Sequence, residues 1–325
     1  MFQRELNFWV LGGDRRQAAL ARALAEDGHT VHVFALKLPE ALPPTLSEET
    51  TLARCERADC IVLPLPVSDG AGRLNAPLGE GEVPLDQLMA QLPPGPYLCG
   101  GRVDGETRRL AEVNGLTLRD YFAREELAVA NAVPTAEGAV QLAMERLPIT
   151  IHGARVLILG YGRVGQLTAR RFSALGARVT VAARRCEALA WARAEGCAGE
   201  SLDRLRGWLC GYDLVINTIP APVLTRPLLE QLQSECLIID LASRPGGVDF
   251  EAAGELGLKT IWALSLPGKV APITAGGIIR DTVLHMMADL AGSCPPAPGA
   301  WTGRPPPSWV STPSMPWVCP ARSPR

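Results

Sequence analysis

The chain lacks the features that would place it in several broad classes of protein. Lysine and arginine number 32 and aspartate and glutamate 34, so the net charge is -2 and no bulk positive field exists to bind nucleic acid or an anionic membrane. No apolar run reaches the ~20 residues that a membrane-spanning helix needs, and the charged start is unlike a signal peptide. We therefore expect a soluble, cytoplasmic protein whose partners include neither nucleic acid nor membrane.

Histidine is scarce, and cysteine is too dispersed for metal or disulfide chemistry. The nine cysteines contain no Cys-x-x-Cys pair, and their odd number favours free thiols in a reducing compartment. The four histidines show no metal-ligand spacing. We predict no metal site and assign the histidines no chemistry.

What the sequence does contain is an alternation of strand and helix patterns that occurs twice. The first half is predicted to form a strand over residues 6–11, a glycine turn over 12–14 and a helix over 15–27. Two more strands are predicted over 30–36 and 60–65. Gly28 is placed to end the first helix. The stretch 68–96 is rich in glycine and proline and is predicted to form surface loops.

The second half repeats the alternation. Strands are predicted over 155–159, 178–182, 214–219 and 237–241, with helices over 166–175 and 189–196. A helix over 123–147 is expected to break at Pro134, with Thr135 as the N-cap of its second part. A final helix over 274–290 would cross back to the first domain.

These elements predict an α/β protein with two Rossmann-like, doubly wound parallel-sheet domains joined by a long linker helix. A length of 325 residues also exceeds what one hydrophobic core usually covers. The predicted parts are an N-terminal substrate or partner domain over residues 1–130, a linker helix over 131–150 and a second Rossmann domain over 151–272, whose ligand the patterns below predict. A helix over 273–291 is expected to pack back on the N-terminal domain, and residues 292–325 are expected to form a disordered proline-rich tail.

The most informative local pattern is the glycine fingerprint that follows the strand over 155–159. It consists of Gly160, Tyr161, Gly162, Arg163, Val164 and Gly165. In this context the first glycine permits a tight turn, the second lets a pyrophosphate approach the backbone, and the third lets the helix lie close to the strand. The pattern predicts dinucleotide binding at the helix amino end; the alternative is a Rossmann domain that has lost its ligand.

The end of the next strand distinguishes the two nicotinamide cofactors. An acidic residue there would bind the adenosine ribose of NAD, whereas Arg184 and Arg185 stand at this point. Guanidinium groups suit the 2′-phosphate of NADP(H), which we therefore predict as the cofactor. The alternative is that both arginines are ordinary surface charges.

Two further loops follow strands and are expected to face the nicotinamide. Their predicted cofactor contacts are Asn217, Thr218, Ile219, Pro220, Leu241 and Ala242. Arg244 is predicted to bind a substrate carboxylate, unless it forms a salt bridge that braces its loop.

In the first domain Gly12-Gly13-Asp14 lacks the third glycine of the fingerprint. Two interpretations of this turn are therefore open: it binds a small anion with the help of Arg15 or Arg16, or these residues are solvated charges.

Seven stretches together resemble the family of the dipicolinate synthase A subunit. They lie at residues 12–17, 133–138, 150–153, 159–165, 216–220, 240–249 and 266–272. The run Asp-Leu-Ala-Ser-Arg-Pro-Gly-Gly from Asp240 is more specific than the glycine fingerprint, and the resemblance extends over about residues 6–290. The tail departs from the family.

The resemblance implies a function in endospore-forming bacteria, in the mother cell. It implies NADP-linked oxidation of a dihydrodipicolinate-type intermediate of the lysine pathway, or of its hydroxylated tetrahydro precursor, to dipicolinate. A flavoprotein-like dipicolinate synthase B subunit is the implied partner, and a homo-oligomer is open. Alternatives are a D-2-hydroxyacid-type dehydrogenase, whose Arg, Glu and late His pattern is not matched, and an NADP-binding regulatory or scaffold subunit without hydride transfer.

A dicarboxylate substrate needs anchors at two points beside the nicotinamide. We expect Ser243 and Arg244 to hold one carboxylate. The rest of the pocket is assigned to the first domain and the linker, through Asp14, Arg15, Ser68, Thr135 and Glu137. Glu137 and Asp14 are the two candidates for the proton acceptor.

Overall fold

Two six-stranded parallel sheets, each covered on both faces, organise the part of the chain that the computed structural model describes, which is residues 5–38, 43–207 and 209–290. The prediction of a disordered tail lies outside these residues. The first sheet consists of β1 Asn7–Leu11, β2 Thr30–Phe34, β3 Leu46–Glu49, β4 Cys60–Val62, β5 Tyr97–Gly100 and β6 Leu118–Asp120. Its spatial order is β3-β2-β1-β4-β5-β6.

The second sheet repeats this topology. It consists of β7 Arg155–Leu159, β8 Arg178–Ala183, β9 Ala198–Ser201, β10 Leu214–Asn217, β11 Leu237–Asp240 and β12 Lys259–Trp262. Its order is β12-β11-β10-β7-β8-β9, and neighbouring strands in both sheets are parallel. Each sheet therefore reverses its winding between its first and fourth strands, where doubly wound sheets open a crevice for ligands. The predicted fold class is confirmed.

The described helices lie between these strands and after the last one. They are α1 Arg15–Glu26, α2 Leu85–Gln91, α3 Gly105–Val113, α4 Glu125–Arg146, α5 Arg163–Ala174, α6 Cys186–Ala194, α7 Arg226–Leu229, α8 Phe250–Glu255, α9 Leu266–Val270 and α10 Pro272–Leu290. Within the described residues, no helix is both long enough and apolar enough to span a bilayer.

The central strands are apolar on both faces because each sheet has a core above and below it. In β7, Val156 and Ile158 join one core, whereas Leu157 and Leu159 join the core on the opposite face. Strands buried on two sides appear in the sequence as continuous apolar runs, which is why β1, β7, β10 and β11 were predictable.

The predicted break of the linker helix at Pro134 is wrong. Helix α4 continues through Pro134, which is buried. Thr135 is not an N-cap, because its hydroxyl donates to the carbonyl of Asn131 one turn earlier at 2.7 Å. Proline removes one N–H from the helix and crowds the carbonyl one turn earlier. The burial of Pro134, Ala136 and Gly138 indicates that tertiary packing, and not local propensity, decides the conformation here.

Several short elements were not predicted. Strands β3 and β9 carry the sequences LSEE and AGES, which have neither an apolar run nor a clean alternation. The stretch predicted as surface loops contains helix α2, with Leu85, Leu88 and Met89 buried. The strand predicted over 60–65 ends at Val62, because Pro64 and Pro66 follow it.

The last helix, α10, lies directly on α1 of the first sheet's layer. A Cβ on Gly276 would come within 2.7 Å of the backbone of Arg16 and Leu20, so only glycine permits this approach. Arg280 adds an ion pair to Asp27 at 3.3 Å. The chain thus returns to the first half after the second sheet, while the domain boundaries themselves stay a prediction.

Candidate functional site

The glycine turn lies at the crevice of the second sheet, between the carboxyl ends of β7 and β10. Gly160 has a φ of +93°, and a Cβ there would come within 2.5 Å of the Thr218 hydroxyl. That hydroxyl donates to the carbonyl of Leu159 at 2.8 Å and fixes the strand end. A Cβ on Gly165 would lie 2.3 Å from the Gly160 carbonyl oxygen, so the helix can lie this close only with glycine.

The amino end of α5 is open. Gly162 precedes the helix without a side-chain cap, and a Cβ on it would meet nothing within 4 Å among the described residues. Arg163 is exposed, and Val164 is half-buried. The N–H groups of the first turn and the positive end of the helix dipole therefore face an open space that fits a pyrophosphate.

Tyr161 contributes backbone to the turn, but its side chain is buried behind it. The phenol O–H donates to Oε2 of Glu195 at 2.8 Å, and Arg170 donates to both oxygens of the same carboxylate at 3.1 and 2.6 Å. The Arg170 hydrogen bond is the main reason that the pKa of Glu195 is lowered, and Tyr161 lowers it further. This network joins the turn to α5 and α6.

The two arginines after β8 differ in their surroundings. Arg184 is exposed and makes no ion pair with any described residue. Arg185, also exposed, contacts Glu187 at 3.0 Å. Arg184 is therefore the more available guanidinium for a 2′-phosphate.

A buried carboxylate supports the loops after β10 and β11. Asp240 accepts hydrogen bonds from Asn217 Nδ2 at 2.8 Å and from the backbone N–H groups of Ala242 and Gly247 at 2.9 and 2.8 Å. Asn217 also donates to the Ile219 carbonyl at 3.0 Å. Asp240 was not predicted as a functional residue; an acid at the end of the apolar strand Leu237–Asp240 is the signal that was available.

The loop that Asp240 supports presents Ser243 and Arg244 at the surface. Both are exposed, and the Arg244 guanidinium lies 5.9 Å from the ring centre of Trp262. Trp262 in turn donates from its indole nitrogen to the Ala242 carbonyl at 3.0 Å. Arg244 has no carboxylate partner in the described part of the chain, which removes the loop-bracing salt bridge as its role. The same edge carries further predicted contacts that are half-buried or exposed, namely Leu241, Thr218 and Pro220.

The corresponding turn in the first sheet is filled by protein. The Gly13 N–H donates to the carbonyl of Asn75 at 2.9 Å, and Leu74 lies against Gly12. Asp14 accepts from the backbone N–H of Arg16 at 2.9 Å and also pairs with its guanidinium, at 2.8 Å from Nη2. The Gly13 N–H and the Arg16 guanidinium are thus already engaged, and Arg16 is not a solvated charge because it is only 7% exposed. Assistance of a small anion by the exposed Arg15 stays a prediction.

The Asp14–Arg16 pair lies where the two halves of the molecule meet. A Cβ on Gly268 of α9 would be 2.9 Å from Arg16 Nε and 3.3 Å from Asp14 Oδ2. On another side of α9, Leu266 lies against Gly138 of α4, at 3.2 Å from a Cβ built there. The structure thus brings Asp14 to the segment that follows β12.

The remaining predicted pocket residues are spread apart. Arg15 is exposed on α1, and Ser68 accepts from the Gly70 N–H at 3.0 Å within a surface turn. Glu137 contacts Arg171 at 3.3 Å, eight residues along α5 from its amino end, or about 12 Å. Neither Glu137 nor Thr135 is brought to the crevice by a contact with the described residues, and their site roles stay predictions.

Comparison with known proteins assigns both halves of the chain. Residues 7–122 match the family model described as the N-terminal domain of the dipicolinate synthase A subunit, and residues 147–252 match one described as putative NAD(P)-binding. The A subunit of dipicolinate synthase from Bacillus subtilis strain 168 is 33% identical over 287 residues, which is 88% of this chain and 97% of that protein.

Solved structures agree. The dipicolinate synthase A subunit from Bacillus halodurans superposes with a TM-score of 0.81 at 32% identity, over 87% of this chain and 98% of the other. A transhydrogenase from Sinorhizobium meliloti, with a TM-score of 0.68 and 17% identity over 87% and 94% of the two chains, shares the fold alone. The second half of the chain is therefore an NAD(P)-binding domain with a Rossmann fold.

Proposed function

The chain belongs to the family of the dipicolinate synthase A subunit, and we propose that it oxidises a dihydrodipicolinate-type intermediate to dipicolinate with NADP⁺. The observation that carries the proposal is a shared edge: the open glycine turn, the exposed Arg184 and the Arg244 loop all follow carboxyl ends of strands in one sheet. Dinucleotide and substrate would meet at this edge.

The residues present fit a bound NADP(H). The open amino end of α5 would hold the pyrophosphate, with no Cβ at Gly162 to obstruct it. Arg184 would hold the 2′-phosphate. When bound, NADP⁺ supplies the hydride acceptor; the loops after β10 and β11 would border its nicotinamide.

Arg244 is the proposed anchor for one substrate carboxylate, with Ser243 beside it. The Trp262 ring lies 5.9 Å from the guanidinium, and the Asp240 hydrogen bonds fix the loop backbone. Such prior ordering reduces the entropy lost when the ring carbon is positioned for hydride transfer. A guanidinium can bind a carboxylate through two parallel hydrogen bonds.

Oxidation to the aromatic ring also releases a proton. The two sequence candidates for its acceptor are both ion-paired, Asp14 with Arg16 and Glu137 with Arg171. We propose that water at the open cleft accepts the proton, because aromatisation supplies the driving force for the step.

A second polypeptide of the same synthase is the proposed protein partner. The relatives are A subunits of dipicolinate synthase, which implies that a B subunit exists. From the resemblance we expect this B subunit to be flavoprotein-like. Assembly with it, or with further copies of this chain, is part of the proposal. The proposed setting is the mother cell of a sporulating bacterium.

The test is a reconstitution with the freshly generated lysine-pathway intermediate. Purified chain, with and without the B subunit, receives NADP⁺ or NAD⁺ while dipicolinate and reduced cofactor are measured. The proposal expects dipicolinate and NADPH in equal amounts. Tight NADPH binding without product under any combination would instead favour a regulatory or scaffold role, and turnover of 2-keto acids would favour a D-2-hydroxyacid-type dehydrogenase.

A further inference from the structure

The cation at the amino end of the cofactor-binding helix is held by a carboxylate from another helix. Arg163 is the first residue of α5, and its Nη1 donates to Oε2 of Glu125 at 2.8 Å. Glu125 is the first residue of α4. The side chains are 53% and 71% exposed, so this is a solvent-accessible ion pair that costs little to break.

Arg163 is also the residue next to the proposed pyrophosphate position. Gly162, which immediately precedes Arg163, leaves the space in front of the helix open. An arginine side chain at the first helical position is long enough to reach an anion bound at that end. Guanidinium binds phosphate oxygens through paired, charge-assisted hydrogen bonds.

We propose that Glu125 and the bound dinucleotide compete for Arg163, so that Glu125 sets the affinity for the cofactor by holding Arg163 until a pyrophosphate displaces it. This inference rests on the proposed function. Glu125 weakens binding, because its ion pair must be broken before Arg163 can contact phosphate.

The surroundings of Glu125 supply a matched control. Glu126 is the next residue, is 42% exposed and is also ion-paired, but its partner is Arg124 at 2.6 Å. Arg124 is further bound to Asp289 of α10 at 2.9 Å. Glu126→Gln therefore alters the same end of α4 and changes the net charge by the same amount as Glu125→Gln. It leaves the Arg163–Glu125 ion pair intact.

The experiment measures NADPH affinity by direct fluorescence titration, with no turnover involved. The proteins are the full chain and its Glu125→Gln, Glu126→Gln, Arg163→Gln and Glu125→Gln/Arg163→Gln variants. We expect Glu125→Gln to tighten binding about threefold, as loss of a surface ion pair permits. We expect Arg163→Gln to weaken it about tenfold. In the Arg163→Gln background, Glu125→Gln should change little, and Glu126→Gln should resemble the unmodified chain.

The failures are distinguishable. An unmodified chain that binds neither NADPH nor NADH overturns the proposed function and this inference with it. Binding that does not respond to Glu125→Gln, or that tightens equally with Glu126→Gln, overturns the competition alone. Equal tightening by Glu125→Gln with and without Arg163 would show a general charge effect and would also overturn it.

Discussion

Asp14 and Arg16 form an ion pair at the first turn of α1, where the two halves of the molecule meet. No sequence pattern predicted this pair. The guanidinium also donates to the Leu65 carbonyl at 2.7 Å, and Gly268 of α9 lies against the pair. Arg16 is only 7% exposed, so these partners replace the water that its guanidinium loses on burial.

Asp14→Asn should therefore destabilise the protein. The buried guanidinium of Arg16 would lose its carboxylate, and we expect the free energy of unfolding to fall by about 2 kcal/mol. Chemical denaturation measures this directly. Arg15→Gln, a change at the exposed neighbour, is the control and should have almost no effect; equal effects of the two substitutions would contradict the role given to the pair.

The nucleotide-binding half could be predicted from the sequence because its signals are local. β7 was predicted at its observed bounds, and the glycine turn and α5 follow it as expected. The fingerprint's function depends on residues adjacent in sequence, and an apolar run followed by glycines specifies strand, turn and helix without reference to the rest of the chain.

The parts that were not predictable depend on distant residues. The Asp14–Arg16 pair lies against Gly268, which is about 250 positions away in the sequence. Only folding brings α9 next to the first turn of α1. Glu137 was placed correctly on a helix, but the face it occupies follows from how α4 meets α5, where Arg171 lies. Asp240 carried a recognisable signal, a carboxylate ending an apolar strand, whose meaning became clear only with its three donors.

The glycines of the turn should respond differently to substitution. Gly162→Asp faces open space and should leave stability unchanged, while its charge repels the pyrophosphate and weakens NADPH binding about a hundredfold. Gly165→Ala should instead destabilise the fold, because its Cβ would meet the Gly160 carbonyl. Thermal melts and NADPH titrations separate the two effects. Gly95→Asp, at an exposed loop glycine, controls for added charge, and a Gly162→Asp protein that still binds NADPH would contradict the site.

Cofactor preference should depend on Arg184. Arg184→Ala removes the more available guanidinium at the end of β8 and should lower the affinity for NADP⁺ about tenfold with little change for NAD⁺. Glu187→Gln frees Arg185 from its ion pair and should shift preference the other way. Arg178→Ala, at the opposite end of the same strand, is the matched control. Unchanged NADP⁺ affinity in Arg184→Ala would remove the structural basis for choosing NADP.

The Arg170–Glu195–Tyr161 network predicts a pH dependence of stability. The folded pKa of Glu195 lies below its ordinary value of 4.5, chiefly because of the Arg170 hydrogen bond. Its stabilising contribution is thus complete above about pH 4.5 and is lost as the pH falls through the folded pKa. The stability difference between the unmodified chain and Glu195→Gln should shrink over that range. A difference that stayed constant down to acid pH would contradict the assignment.

Arg244 should affect the substrate and not the cofactor. Arg244→Ala is expected to raise the KM for the dicarboxylate about tenfold or more, with the Kd for NADPH unchanged, because a carboxylate anchor contacts only the substrate. Arg244→Lys should recover part of the loss. If Arg244→Ala weakened NADPH binding and left KM unchanged, the loop after β11 would belong to the cofactor site instead.

The central claim, hydride transfer from a dihydrodipicolinate-type ring to NADP⁺ on this protein, is tested most directly by isotope transfer. An intermediate that carries deuterium at the ring carbon to be oxidised is incubated with NADP⁺ and the protein, and the NADPH formed is examined by NMR. The account predicts deuterium at C4 of the reduced nicotinamide on one face, together with dipicolinate. Dipicolinate formed while C4 carries no deuterium, or NADP⁺ left unreduced, would contradict it.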